Sequence, residues 1–312
     1  MERSQPKESC FYLNPPAAER SECAPVRRFV FTGLALAAFA SNSILCRLAL
    51  GRALIDAAGF TMVRLTSGAV ALWLITAAIA AKPASAPAPM RSLVSAAFLF
   101  LYAVAFSFAY VNLNTGTGAL ILFGSVQATM FIAAVIGGQK PNPYEYVGLL
   151  VALGGLAYLV FPGLNTPPLW AAGLMMAAGT AWGIYSLRGR SSKLPIVDTR
   201  NNFLYSLPFV LLLGLVAFPF LQVSPKGVLF AVISGAGASA TGYIIWYAAL
   251  QNLNAKHAAL VQLLVPPLAA TGGVLFLAEP LSWRLVGAAA LILGGIATAI
   301  FSTYRGLKNR SS

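Results

Sequence analysis

The chain repeats itself at a spacing of 140 residues, and each copy carries an odd number of apolar stretches long enough to cross a membrane. Asn112-Leu113-Asn114 returns as Asn252-Leu253-Asn254, Gly154-Gly155 as Gly294-Gly295, and Gly33-Leu34 as Gly173-Leu174. Ala119-Leu120, Ala157 and Phe161 recur in the same register as Ala259-Leu260, Ala297 and Phe301. If each copy crosses the bilayer about five times, the second begins on the opposite face and lies inverted relative to the first.

The residues between the matches fit that reading. Apolar residues make up 58% of the chain and charged residues 9%, with a mean hydropathy of +0.77. A span needs about 20 mostly apolar residues, because hydrocarbon offers no partner for an unpaired backbone group. Ten stretches qualify, at roughly 29–50, 57–80, 92–111, 115–137, 144–161, 168–187, 202–222, 227–250, 257–277 and 283–303. The expected fold is an all-α membrane protein of about ten transmembrane helices in two inverted five-helix repeats.

The net charge of +13 reports topology, not a nucleic-acid partner. With the N-terminus in the cytoplasm, 16 of the 21 Lys and Arg fall on that side and only Arg52, Lys226 and Arg284 on the other. By the positive-inside rule both termini are then cytoplasmic, in a multi-pass protein of the cytoplasmic (inner) membrane. The expected divisions are a disordered tail over 1–26, repeats over 27–162 and 163–304, and a basic tail over 305–312. The apolar run after Arg27-Arg28 is expected to remain as a signal anchor. Cys10, Cys23 and Cys46 have no partner outside the cytosol, so no disulfide is expected.

Ionisable and amide groups inside a bilayer are costly and mark either function or a fixed structural partner. Arg64, about eight residues into the second span, either bonds carbonyls of neighbouring helices or binds an anionic group of a solute. Arg47, near the end of the first span, is expected to snorkel to the interface. Asn42, Gln127 and Gln262 lie deep in spans one, four and nine and either glue helices together or touch a solute. Tyr243, Trp246 and Tyr247 share one helix face, and Trp182 and Tyr185 form a second amphipathic pair. These five aromatics either form a belt or core, or line a cavity for an apolar or aromatic solute. Pro266-Pro267 falls within span nine and predicts a kink or break, with a gating role as the functional reading. His257 beside Lys256 reads as a loop histidine. No metal set, Walker loop or cofactor motif occurs in the sequence, so no metal, cofactor or catalytic residue is expected.

Leu260-Val261-Gln262-Leu263-Leu264-Val265-Pro266-Pro267, Phe276-Leu277-Ala278-Glu279-Pro280-Leu281-Ser282 and Gly294-Gly295 together resemble the C-terminal half of EamA-type carriers of the drug/metabolite transporter superfamily. Ala181-Trp182-Gly183-Ile184-Tyr185-Ser186 resembles the end of their sixth helix and Gly242-Tyr243-Ile244-Ile245-Trp246-Tyr247 their eighth, while Arg64 is similar to an arginine common in their second. The resemblance covers about residues 29–304. It implies a carrier of metabolites, amino acids or drugs, often outward, and some superfamily members export aromatic amino acids. These carriers often hold a Glu after spans four and nine. Here Glu279 fits the second position, but its repeat mate is Gln139. Glu279 is otherwise expected to cap span ten beside Pro280 and Ser282.

The sequence therefore reads as a secondary transporter working by alternating access, with a small-molecule substrate, the lipid bilayer as surroundings, no nucleic acid, and a monomeric or weakly dimeric state. A lipid-modifying membrane enzyme would need acid/base groups that eight Asp and Glu, half of them in the N-terminal tail, and one His hardly supply. A channel or non-transporting scaffold is the third reading.

Overall fold

The structure, a computed structural model, describes residues 20–79, 89–138, 141, 143–161, 166–190, 192, 194–250 and 261–308. For 20–29, 89–91, 247–250 and 300–308 only the backbone is described. Gln139, Lys256 and His257 lie outside the described residues, as does the side chain of Tyr247.

Among the described residues the chain is helical. The elements are α1 (Arg20–Leu50), α2 (Ala57–Ala78), α3 (Pro89–Tyr110), α4 (Thr115–Ile136), α5 (Pro143–Val160), α6 (Leu169–Gly189) and α7 (Pro195–Ala217). α8 (Pro225–Val232) runs through a π-helical segment (Ile233–Thr241) into α9 (Gly242–Leu250), and α10 (Val265–Leu277) and α11 (Trp283–Lys308) follow. Seven described helices are long and apolar enough to cross a membrane, and Val265–Leu277 and Trp283–Ala299 are shorter apolar helices. α7 shows what surrounds them, since Leu211, Leu212, Leu215 and Val216 are all at least 60% exposed. A row of bare aliphatic side chains suits lipid and not water.

Two boundaries differ from the expectation. α7 begins at Pro195, so the polar connection after Arg188 holds its first two turns. Proline suits a helix start, because its missing N–H is not needed there, and Asp198 in that first turn accepts from Ser192 Oγ. α1 begins at Arg20, within the segment expected to be a disordered tail.

Local chemistry sets the other ends. Asp56 caps α2 by accepting from Gly59 N at 2.8 Å, and its other oxygen accepts from Gln222 N at 2.8 Å. One carboxylate thus ties the α1–α2 turn to the α7–α8 turn. Pro266 and Pro267 fall in the first turn of α10, after a turn at Leu263-Leu264. The expected kink is a break and restart, which leaves neither proline where a helix-interior N–H is required.

The packing follows the repeat. Exchanging α1, α2, α3, α4 and α5 with α6, α7, the α8–π–α9 run, α10 and α11 maps each principal contact onto another. α3 on α6 becomes the α8–π–α9 run on α1, α4 on α6 becomes α10 on α1, and α3 on α7 becomes the π segment on α2. The pairs α2–α7, α4–α10 and α5–α11 map onto themselves. Most of the packing therefore crosses between the halves.

Small residues permit the close crossings. At α5–α11, a Cβ on Gly295 would lie 2.5 Å from the Gly148 carbonyl oxygen, and one on Gly155 would lie 2.7 Å from the Leu291 Cβ. Gly154 and Gly294, the other members of the repeated Gly-Gly pairs, have nothing within 4 Å. Gly295→Ala should therefore cost about 1–3 kcal/mol by overpacking. Gly294→Ala should be neutral or stabilising by up to about 1 kcal/mol through helix propensity. Thermal unfolding of the two variants in detergent checks this, and equal losses would contradict the packing described.

Candidate functional site

Arg64 lies two turns into α2, roughly 11 Å from its start at 1.5 Å per residue, and is only 1% exposed. Near the middle of a hydrocarbon layer of about 30 Å, a guanidinium must be solvated by protein. Its Nε donates to Ser239 Oγ at 3.2 Å and its Nη2 to Tyr102 Oη at 3.0 Å. The guanidinium carbon also sits 5.3 Å from the Tyr102 ring centre and 5.0 Å from that of Phe106, within cation–π range.

The π segment carries the second part of the site. Ser234 and Ser239 both donate to Asn42 Oδ1, at 2.8 and 3.2 Å. Five residues apart on an α-helix, these serines would point roughly 140° away from each other. The wider π turn reduces that to about 50° and sets both hydroxyls on one amide. Gly235, Ala236, Gly237, Ala238 and Ala240 supply a run of small side chains for the widened turn, and Thr241 Oγ1 donates to the Ala236 carbonyl five residues back at 3.0 Å. A Cβ on Gly235 would overlap the Arg64 carbonyl oxygen, so glycine brings this segment against α2.

Phe39, Asn42, Tyr102, Phe106, Trp182 and Tyr243 surround the open space beside this network. It amounts to about 20 Å³, room for roughly one water molecule. Trp182 stands 4.9 Å from Tyr102 and 5.1 Å from Tyr243, centre to centre, which links α3, α6 and α9 through one aromatic row. A larger crevice of about 450 Å³ opens along α1, the π segment and Phe276, but no charged side chain lines it.

The structure thus gathers Asn42, Arg64, Trp182 and Tyr243 and sorts the other candidates. Tyr185 stacks on Trp182 at 5.3 Å and its hydroxyl accepts from Asn202 Nδ2 at 3.3 Å, so it supports the row without lining the space. Trp246 packs edge-on against Phe39 at 5.7 Å, one layer behind the space. Gln127 and Gln262 are half-buried and do not line it. Pro266 is buried and Pro267 exposed at the α10 break. Tyr102, Phe106, Ser234 and Ser239 are parts of the site that the sequence reading leaves out. Tyr102 carries no helical pattern with the other candidates, and the two serines share a face only in a π turn.

One end of the bundle holds a second charged cluster. Arg47, expected to snorkel, is held at the helix ends by protein groups. Its Nε donates to Glu279 Oε1 at 3.3 Å, an ion pair, and its Nη1 to the carbonyls of Tyr110 and Val111 at 3.1 and 2.9 Å. Glu279 Oε2 accepts from Thr115 N at 2.7 Å, the first residue of α4. Glu279 therefore caps α4, where Asn114 makes no side-chain cap, and not span ten as expected. The carboxylate binds the ends of α1, α3 and α4 to the turn after α10. At the opposite end Arg188 Nε donates to Ser95 Oγ at 3.0 Å.

The comparisons with known proteins agree with this architecture. Residues 169–301 match the model of the EamA-like transporter family. The chain is 47% identical over 272 residues to an uncharacterized protein of Pseudomonas aeruginosa, covering 87% of this chain and 93% of that one. An uncharacterized transporter of Archaeoglobus fulgidus is 29% identical over 178 residues, 54% of this chain and 61% of its own length. A solved crystal structure with 19% identity superposes at a TM-score of 0.61, over 88% of this chain and 97% of that one. The fold is that of a multi-pass membrane transporter. The chain belongs to the EamA-like transporter family.

Substitutions at two positions test these supporting roles. Trp246→Ala should cost about 3–5 kcal/mol, as for a buried aromatic, lowering the melting temperature in detergent. Glu279→Ala removes both the ion pair and the α4 cap and should cost about 1–2 kcal/mol. Glu279→Gln keeps an acceptor for Thr115 N, so it should retain more of that stability in the same melt. Equal losses for Gln and Ala would show that the cap contributes nothing.

Proposed function

We propose that the protein is a secondary transporter, with no catalytic step, that exports a small organic metabolite, amino acid or drug by alternating access. Its place is the cytoplasmic membrane, with both termini cytoplasmic, as the positive-inside distribution supports. The observation that carries the reading is a polar and aromatic site near the middle of the bundle, built from both halves of the repeat. Arg64, Asn42 and Tyr102 come from the first half, and Ser239, Trp182 and Tyr243 from the second. A solute held there touches both halves, so a relative movement of the halves changes its access.

Two further features support this cycle. The site is narrowed to about 20 Å³, a closed form that must widen to admit a solute. Polar links at both ends, the ion pair of Arg47 with Glu279 and the hydrogen bond from Arg188 to Ser95, join helices that must separate when that end opens. The repeat halves 27–162 and 163–304 are the moving units in this proposal. The outward direction rests on the family resemblance, and the acting unit is a monomer or weak dimer.

The test is counterflow in proteoliposomes loaded with a mixture of amino acids and small metabolites, with and without a proton gradient. Saturable, protein-dependent exchange of at least one component is expected. Exchange that never saturates would indicate a channel, and silence from folded protein across a broad mixture would overturn the carrier reading.

A further inference from the structure

The hydrogen bonds at the central site leave two donors without acceptors. Arg64 is fully buried, and its Nη1 has no hydrogen-bond partner. Asn42 spends its Oδ1 on Ser234 and Ser239, and its Nδ2 makes no hydrogen bond among the described residues. Ser239 accepts from Arg64 Nε and donates to Asn42 Oδ1, so the amide carbonyl faces the serines and its NH₂ is left over. An NH₂ and a guanidinium can only donate, so each of these groups calls for an acceptor.

The charge is unmatched as well. Among the described residues the ion pair is Arg47 with Glu279, and no carboxylate reaches Arg64. The cation–π contacts to Tyr102 and Phe106 temper the charge without neutralising it. Buried donors are almost always paired, and buried cations are paired or neutralised. The missing partner must therefore bring acceptor atoms and a negative charge. Asn42, Tyr102 and Phe106 line the open space, and Arg64, which does not itself line it, lies directly behind Tyr102 and Phe106, so a partner that widens the space meets the amide first and the guanidinium next to it.

We infer that Arg64 Nη1 and Asn42 Nδ2 form a carboxylate-binding subsite and that the transported solute carries a single carboxylate. This rests on the carrier reading proposed above. The head docks on the two donors, and an apolar or aromatic body lies against Trp182 and Tyr243. Ser234 and Ser239 are positioning residues, which hold the amide in the orientation that presents its NH₂. A lone water can accept from both donors yet leaves the charge unmatched, so a carboxylate is the better partner.

The experiment uses the full-length protein in detergent, read by thermal shift and tryptophan fluorescence. The probes are monocarboxylates of increasing bulk, acetate, benzoate and phenylacetate, each against its amide and its amine. The carboxylates should protect, and their amides should bind at least about tenfold more weakly, since the charge-assisted bonds are lost. Arg64→Met should abolish the preference, but it also removes two structural hydrogen bonds. Asn42→Asp is the stricter variant, because it keeps the acceptor for both serines while placing a carboxylate where the solute's would sit. It should stay folded and lose carboxylate protection by more than about tenfold.

Protection by amides equal to that by acids, retention of carboxylate binding in a folded Asn42→Asp protein, or no protection by any carboxylate would each overturn the subsite. Counterflow distinguishes this from failure of the carrier reading. Saturable exchange confined to neutral or cationic solutes would remove the carboxylate subsite and leave the transporter. Carboxylate binding without exchange of any bound acid would do the reverse.

Discussion

A guanidinium near the centre of a hydrocarbon layer governs this structure. Insertion of an arginine at that depth costs roughly 2.5–3.5 kcal/mol even on the mildest scales, so the chain must provide its own solvation. Arg64 receives it from two other elements. Tyr102 and Phe106 in α3 supply a hydroxyl and two ring faces, and Ser239 in the π segment supplies an oxygen. Each requires an exact approach. Gly235 lets the π segment lie against the α2 backbone, and the run of small residues around it suits the wide turn that carries Ser239 to the same point as Ser234. The glycine-rich stretch in span eight thus serves the charge in span two.

The ends of the bundle obey a related rule. Helix termini leave backbone groups without partners, and in a membrane protein these lie close to a medium that cannot replace them. Arg284 meets the demand at α5, donating from Nε and Nη2 to the Tyr158 carbonyl at 3.2 and 2.9 Å. Glu279 meets it at the start of α4 while holding Arg47. Both contacts cross between the halves, so satisfying a backbone group also fastens one half to the other.

Much of this was legible in the sequence. Ten apolar stretches, the 140-residue register and the charge bias follow from the cost of exposing polar groups to lipid, and the all-helical family fold agrees with them. Arg64, Asn42, Trp182 and Tyr243 stood out because a charge, an amide or a polar-tipped ring is conspicuous in such a stretch. What stayed hidden was geometry. Ser234 and Ser239 look unrelated on an α-helical projection, and a Glu 232 residues from Arg47 announces itself as nobody's partner. Trp246 and Tyr185 share their helix faces with true lining residues, yet each sits one layer back. Sequence periodicity fixes a face and not a depth.

The repeat is broken where it matters most. The position 140 residues after Arg64 is Leu204, a partly buried aliphatic residue packed against the core. The two halves share a backbone plan but only one holds the central cation. In the proposed cycle the bound solute then travels with the first half, while the second exchanges partners around it. A carrier with identical halves would have inward- and outward-open forms of equal energy by symmetry. With its charge on one side of the pseudo-axis the proposed cycle has no such symmetry, and nothing obliges its empty inward- and outward-open forms to share one energy before any gradient acts.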